Sequence, residues 1–113
     1  MGSINTIVAG VTRGLEIDSY LVDVLMRDLV GHDRAPSAYL VYLWLWRSSR
    51  GAGRETIGAS LQTIADQTGL SKSAVQGAVR HLARRQLISA ERESATSAPL
   101  YAVHAPWRRA GLR

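Results

Sequence analysis

The sequence predicts a mainly α-helical domain that ends in a small β-hairpin, and three observations support this fold class. Apolar residues recur at helical spacing in several segments of the chain. Residues 60–88 carry the signals of two helices joined by a tight turn. Residues 87–91 and 99–104 are short strand-like segments, and a polar turn rich in Ser and Thr separates them. A chain of 113 residues is long enough for one domain with a single modest core.

Composition excludes several classes of protein. The hydrophobic content of 46% is too high for a disordered chain, and the absence of cysteine excludes a disulfide framework and a thiolate metal site. The longest apolar run, residues 39–46, is far shorter than the roughly 20 residues that span a membrane. The first residues lack the basic and apolar regions of a signal peptide. We therefore expect a cytoplasmic protein that has no membrane partner.

The chain is predicted to divide into an arm, a domain and a tail. Residues 1–14 are small, mixed and punctuated by glycine, which fits either a short strand or a disordered arm, and they are also a candidate for exchange between subunits. The domain is expected to cover residues 15–105. Residues 106–113 contain three arginines and one tryptophan, and we expect them to form a free basic tail.

The first half of the domain is predicted to contain a short strand and two helices. Residues 15–17 alternate apolar and acidic side chains, as a short strand does. Asp18 or Ser19 then caps a helix that runs to about residue 30. Pro36 suits the first turn of a second helix, which extends to about residue 49. The apolar positions of the first helix are Leu21, Val22, Leu25, Met26 and Leu29.

The second helix has no polar face at its centre, which reads YLVYLWLW over residues 39–46. Such a helix is usually buried on all sides. A small domain has little protein with which to surround it, so one prediction places part of it in a subunit interface, where aromatic anchors are common. The alternative is a central core helix covered by its neighbours. The candidate interface residues are Tyr39, Tyr42, Leu43, Trp44 and Trp46.

Residues 60–88 contain the strongest pattern in the chain. Ser60 is a good N-cap for a helix that ends near residue 68, and Gly69 can adopt the positive φ that ends a helix. Ser71 is a good N-cap for the next helix, which spans about residues 71–85. The apolar stripe of that helix consists of Val75, Ala78, Val79 and Leu82, at positions i, i+3, i+4 and i+7.

These residues resemble the winged helix-turn-helix family of bacterial DNA-binding proteins. The resemblance covers roughly residues 36–104 and is closest to the domains of phage, plasmid and transcription-regulator proteins. It implies a mainly α fold with a β-hairpin wing, in which the second helix of the motif contacts DNA. The matching positions are Ile64-Ala65, residues 68–73, Val75, and His81-Leu82 through Leu87-Ile88.

The candidate DNA-binding residues lie on three segments. The exposed face of the helix at about residues 71–85 is mostly small, polar or cationic, as a helix in a major groove requires. The start of the preceding helix, near Ser60, offers hydroxyl and amide groups to a phosphate. The wing offers Arg92 and Thr96, although Glu91 and Glu93 would repel phosphate. The helical candidates are Ser60, Gln62, Thr63, Ser71, Lys72, Ser73, Gln76, Gly77, Arg80 and Arg84.

The charge distribution favours a polyanionic partner. Residues 1–56 contain six Arg and six acidic residues, whereas residues 57–113 contain eight basic and three acidic residues. All of the net charge of +5 therefore lies in the half that contains the helix-turn-helix. A chain that is simply rich in arginine is the alternative explanation.

We expect a sequence-specific protein that binds double-stranded DNA, in the form of a homodimeric transcription regulator. One alternative is a DNA-binding module of plasmid or phage replication initiation or maintenance. An alternative of another class is a winged helix that binds protein. The three histidines lack metal-ligand spacing, and residues 51–53 are not followed by the Lys-Ser/Thr pair of a nucleotide loop. We therefore expect no catalysis, no metal, no cofactor and no small-molecule ligand.

Overall fold

Helix α2 (Pro36–Ser48) is the central element of the fold, and the other elements pack around it. The structure is a computed structural model that describes residues 14–109. Helix α1 consists of two π-helical segments, Leu21–Leu25 and Arg27–His32. The remaining helices are α3 (Leu61–Thr68), α4 (Lys72–Arg84) and α5 (Pro106–Arg109), and a short 3-10 turn spans Arg50–Ala52. The strands are β1 (Thr56–Gly58), β2 (Ile88–Glu91) and β3 (Leu100–Val103).

The three strands form one antiparallel sheet in the order β1-β3-β2. Ile57 pairs with Tyr101 on one side, and Ile88 pairs with Val103 on the other. Tyr101 and Val103 are buried, so alternate residues of β3 face the helices, as the period of two in a strand requires. The hairpin of β2 and β3 is the wing. The predicted fold class, mainly α with a β-hairpin wing, is confirmed.

Local caps that the sequence predicted lie at the ends of the two helices of the helix-turn-helix, α3 and α4. The Ser60 hydroxyl accepts a hydrogen bond from the Thr63 backbone N–H, and the Ser71 hydroxyl accepts one from Ala74. Gly69 ends α3 with a φ of 80°, in the left-handed region where glycine has no steric cost. Its N–H donates to the Ala65 carbonyl. These caps satisfy backbone groups that would otherwise lack partners at the helix ends.

For three of the five candidate interface residues on α2, the prediction of a subunit interface is wrong. Tyr39, Tyr42 and Trp46 are buried within the subunit. Their polar atoms also have hydrogen-bond partners there. The Tyr39 hydroxyl donates to the Leu21 carbonyl, and the Tyr42 hydroxyl donates to the His104 carbonyl. The Trp46 indole N–H donates to the Glu16 carbonyl. Side chains that are already covered and bonded cannot also anchor a partner. Leu43 and Trp44, in contrast, are only partly buried.

One further expectation in the N-terminal half is wrong, because residues 15–17 are not a strand. The Glu16 carbonyl accepts a hydrogen bond from Trp46, so this segment lies against α2 instead of joining the sheet. Val22 and Met26 do not face the core but are 48% and 39% exposed. The i→i+5 hydrogen bonding of α1 puts more residues into each turn than an α-helix has. Residues four apart therefore lie on the same face of α1. That face is Leu21, Leu25 and Leu29, all buried.

The expectation of a free tail is wrong for residues 106–109, which form α5. Trp107 is only 4% exposed and stacks on Tyr20, with ring centroids 4.5 Å apart. Its indole N–H donates to Asp18, and Arg108 binds both oxygens of the same carboxylate. An aromatic residue buries a large apolar area, which explains why α5 packs against the start of α1. Residues 1–13, predicted as the arm, and residues 110–113 lie outside the described part of the chain.

Candidate nucleic-acid interface

Helix α4 separates a buried face from an exposed polar face. Val75, Ala78 and Leu82 are buried against the rest of the domain. Lys72, Gln76 and Arg80, which follow each other at intervals of four residues, are exposed. Because residues four apart lie on the same side of an α-helix, these three side chains form one stripe. Within residues 14–109, none of these three side chains makes a hydrogen bond or an ion pair with another residue, so their polar groups are available to a ligand.

The smaller residues of this face differ in how they are used. Ser73 is exposed and lies 3.3 Å from the Ser71 hydroxyl. Gly77 is partly buried, and a Cβ added there would meet nothing within 4 Å. Packing inside the subunit therefore does not require a glycine at this position. Arg84 is exposed, and its guanidinium lies 3.4 Å from the His81 ring.

The start of α3 has the groups predicted for a phosphate contact, but some are already engaged. The Ser60 hydroxyl caps the helix through the Thr63 N–H and also donates to the Thr63 hydroxyl. The Gln62 amide donates to Asp66, one turn further along the helix. Gln62 and Thr63 are exposed. A phosphate at this helix start would therefore meet side chains that the fold has already oriented.

The wing and α4 enclose a cleft of about 280 Å³. Gln76 and Arg80 line it from α4, and Arg92 lines it from the wing. The fold thereby brings together cations from two segments that are separate in sequence. Glu91 also lines this cleft and partly offsets their charge. The sequence did not reveal that Tyr101, a strand residue with an apolar neighbourhood, would form part of the same wall.

The predicted wing residues are not brought together in this cleft. Arg92 lines it, but its guanidinium also donates to the Ala95 carbonyl within the turn. Thr96 is exposed outside the cleft, and its hydroxyl lies 3.2 Å from that of Ser94. Hydrogen bonds inside the turn therefore shape the wing tip, a feature that alternation and composition alone do not reveal.

Asp33 ties the far end of α4 to the connection between α1 and α2. Its carboxylate is 2.9 Å from the His32 ring, 2.8 Å from the His81 ring and 2.8 Å from the Arg85 guanidinium. The hydrogen bonds from His32 and His81 lower the pKa of Asp33 to about 2, assisted by Arg85 and opposed by burial of the carboxylate. His81, whose sequence context lacks metal-ligand spacing, thus helps to fix the end of α4 against the connection between α1 and α2.

Replacing Asp33 with asparagine is expected to lower the free energy of unfolding by about 1–2 kcal/mol at about pH 5. The folded pKa lies below the ordinary value of 3.8, so the carboxylate contributes fully above that value. The contribution is lost as the pH falls through the folded pKa of about 2. The difference between wild type and variant should therefore narrow between about pH 5 and pH 2 in urea unfolding. Asp23→Asn, an exposed change on α1, is the control, and a difference that is independent of pH would contradict the proposed role.

Among residues 14–109, no group of three or more His, Cys, Asp or Glu side chains could hold a metal ion. Over the same residues, no helix is both long enough and apolar enough to cross a membrane.

The central part of the chain is similar to a known protein family. Residues 35–88 match a family model described as a helix-turn-helix domain. The match extends from the start of α2 through α4 to the first residue of β2, so the predicted helix-turn-helix is confirmed. No curated protein matches the chain. Among solved structures, a MarR family regulator from Neisseria meningitidis aligns with a TM-score of 0.45 and 16% identity, over 98% of this chain and 73% of that chain.

Proposed function

We propose that this protein, with its helix-turn-helix domain over residues 35–88, is a sequence-specific double-stranded DNA-binding protein that regulates transcription. The observation that carries the proposal is the exposed stripe of Lys72, Gln76 and Arg80 on α4. These side chains are long, polar or cationic, and free of partners within residues 14–109. A helix that inserts into a major groove needs such a face, because base edges are read by hydrogen-bonding side chains.

In the proposed complex, α4 lies in the major groove and the other candidates position it. Arg80 has the geometry for a bidentate contact with guanine, and Gln76 for one with adenine. Lys72 and the hydroxyls near the start of α4 contact phosphates. The start of α3 and the wing contact the backbone on either side, through the residues Ser60, Gln62, Thr63, Arg92 and Thr96. Base contacts would provide specificity, and phosphate contacts would provide register and affinity.

We further propose that the protein acts as a homodimer. Leu43 and Trp44 remain the candidate interface residues on α2. They line a groove of about 250 Å³ together with the exposed apolar residues Leu15 and Leu40. Exposed apolar surface of this kind, rimmed here by Arg47 and Gln67, is typical of protein interfaces. A two-fold dimer would place two copies of α4 about one turn of DNA apart and would read a palindrome.

Selection from a random-sequence DNA library, followed by sequencing at two salt concentrations, tests this function. We expect an enriched palindromic sequence whose half-sites are separated by about 10 base pairs. Single half-sites would contradict the dimer but support the sequence-specific function. Genomic positions of the enriched sequence near promoters would support a regulator, whereas repeated sites at a replication origin would support an initiator. Binding without any enriched sequence, and lost at the higher salt, would contradict sequence-specific recognition.

A further inference from the structure

A second, larger cleft of about 620 Å³ lies at the opposite end of α4 from Lys72. Ala83 and Gln86 line it at the end of the helix, and Ser89 lines it at the root of the wing. From residue 72 to residue 83 the helix rises by about 16 Å, so this cleft is well separated from the start of the recognition helix. Its volume falls within the range of about 300–1,000 Å³ that is usual for small-molecule sites.

The charged residues that line this cleft are all cationic. Arg50, Arg108 and Arg109 come from two distant parts of the chain, and no acidic residue of the described chain lines the cleft. Asp18 binds Arg108 from outside the lining and raises the pKa of that guanidinium. Arg50 donates to a carbonyl oxygen, and no ion pair of Arg50 or Arg109 occurs within residues 14–109. Two positive charges thus lack a compensating carboxylate.

Two of the three guanidinium groups are held in place by the core. Arg50 Nε donates to the Val103 carbonyl at 2.8 Å, and Arg108 binds the Asp18 carboxylate in a bidentate manner. Both groups lie over the Trp46 indole, at 5.9 Å and 5.4 Å from its ring centroid. For Arg50, which has no carboxylate partner within residues 14–109, the cation–π contact and the fixed hydrogen bond limit the side-chain freedom that a ligand would otherwise have to remove on binding.

The rest of the lining combines apolar surface with a few polar groups. Ile88 and Ala105 are buried residues that form part of the wall, and Pro106 adds apolar surface. The His104 ring lies 3.2 Å from the Ser89 hydroxyl, and both residues line the cleft. Six of the ten lining residues are polar or cationic, and the four apolar ones give the body of an organic ligand a surface to pack against.

We propose that this cleft binds a small organic anion, which has an apolar body and a phosphate or carboxylate group. The anionic group would contact the guanidinium groups of Arg50 and Arg109, since a guanidinium matches the geometry of both oxyanions. The apolar body would lie against Ile88, Ala105 and Pro106. This proposal replaces the expectation, drawn from the sequence, that no small-molecule ligand is implied.

Titration calorimetry with 1-naphthyl phosphate, in the absence of DNA, tests the proposal. We expect saturable binding with one ligand per chain, and binding about tenfold weaker in Arg109→Ala because one charge-assisted contact is lost. Arg109 is exposed, so this variant should fold normally. Arg47→Ala removes an exposed arginine that does not line this cleft, and it should leave binding unchanged.

Two further probes separate the contributions of charge and apolar surface. Inorganic phosphate should bind more weakly than 1-naphthyl phosphate if the apolar wall is used, and neutral 1-naphthol should bind more weakly if the arginines are used. Equal binding of phosphate and naphthyl phosphate would overturn the organic-anion assignment. Absence of saturable binding, or equal weakening by Arg47→Ala and Arg109→Ala, would overturn the site itself. Because no DNA is present, these outcomes are independent of the proposed regulator function.

Discussion

Replacement of Trp107 with alanine is expected to lower the free energy of unfolding by about 3–5 kcal/mol. The Trp107 side chain is buried and stacks on Tyr20, and its ring centroid lies 6.1 Å from that of Trp46. The variant would lose this packing and would leave a cavity between α1, α2 and α5. A typical domain has a stability of only about 5–15 kcal/mol, so the loss would be a large part of the total. Urea unfolding followed by far-UV circular dichroism measures it without relying on tryptophan emission.

Two variants distinguish packing from the hydrogen bond of Trp107 to Asp18. Trp107→Phe keeps an aromatic ring on Tyr20 but removes the indole N–H that donates to Asp18, and we expect a smaller loss of about 1–2 kcal/mol. Arg109→Ala changes an exposed residue of the same short helix and should alter stability by less than about 0.5 kcal/mol. An unchanged stability of Trp107→Ala would mean that residues 106–109 form a free segment, as the sequence alone suggested.

The contrast between the helix-turn-helix and the chain end shows which features sequence reasoning can reach. The caps of Ser60, Gly69 and Ser71 each involve partners within four residues, so the residue types and their spacing reveal them directly. Trp107 and Asp18 are 89 residues apart. Nothing in the local composition of a basic, tryptophan-containing tail indicates that a carboxylate from the start of α1 will meet it. Long-range pairs of this kind decided whether the tail is packed or free.

Helix α2 illustrates a different limit. A core helix and an interface helix have the same aromatic composition, so the run over residues 39–46 fitted both. What distinguishes them is where the polar atoms of the aromatic side chains find partners. Tyr39, Tyr42 and Trp46 donate to carbonyls of Leu21, His104 and Glu16 in the same subunit. Those acceptors belong to segments whose approach to α2 follows from the tertiary fold alone, which is why the two alternatives stayed open at the sequence level.

The candidate DNA face could be predicted only in part, because some of its features are local and others depend on the tertiary fold. Its exposure follows from helical period, because the apolar stripe of α4 leaves Lys72, Gln76 and Arg80 on the opposite side. Its position relative to the wing depends on how the sheet packs, and this packing places Arg92 across a cleft from Arg80. The arginines of the larger cleft come from the 3-10 turn at residues 50–52 and from α5, which was expected to be a free tail, so their meeting depends on tertiary packing.

Arg80→Ala and Lys72→Ala should weaken DNA binding in different ways. With the sequence enriched by selection, Arg80→Ala is expected to cost about 1–3 kcal/mol and to relax the preference at one base position, because a bidentate base contact is lost. Lys72→Ala is expected to weaken all sequences evenly and to reduce the slope of log affinity against log salt by about 1, because a phosphate contact is lost. Fluorescence anisotropy at several salt concentrations, with the enriched site and its single-base variants, measures both quantities.

The matched control for this pair is Arg27→Ala, which removes an exposed arginine from α1 and should leave the specificity unchanged. A loss of equal size for Arg80→Ala on every sequence would assign Arg80 to the phosphate backbone instead of a base. Unchanged binding in both variants would mean that the stripe on α4 is not the DNA-contacting surface. The interaction would then have to be sought with a protein partner, for which affinity should depend far less steeply on salt, because no condensed counterions are released.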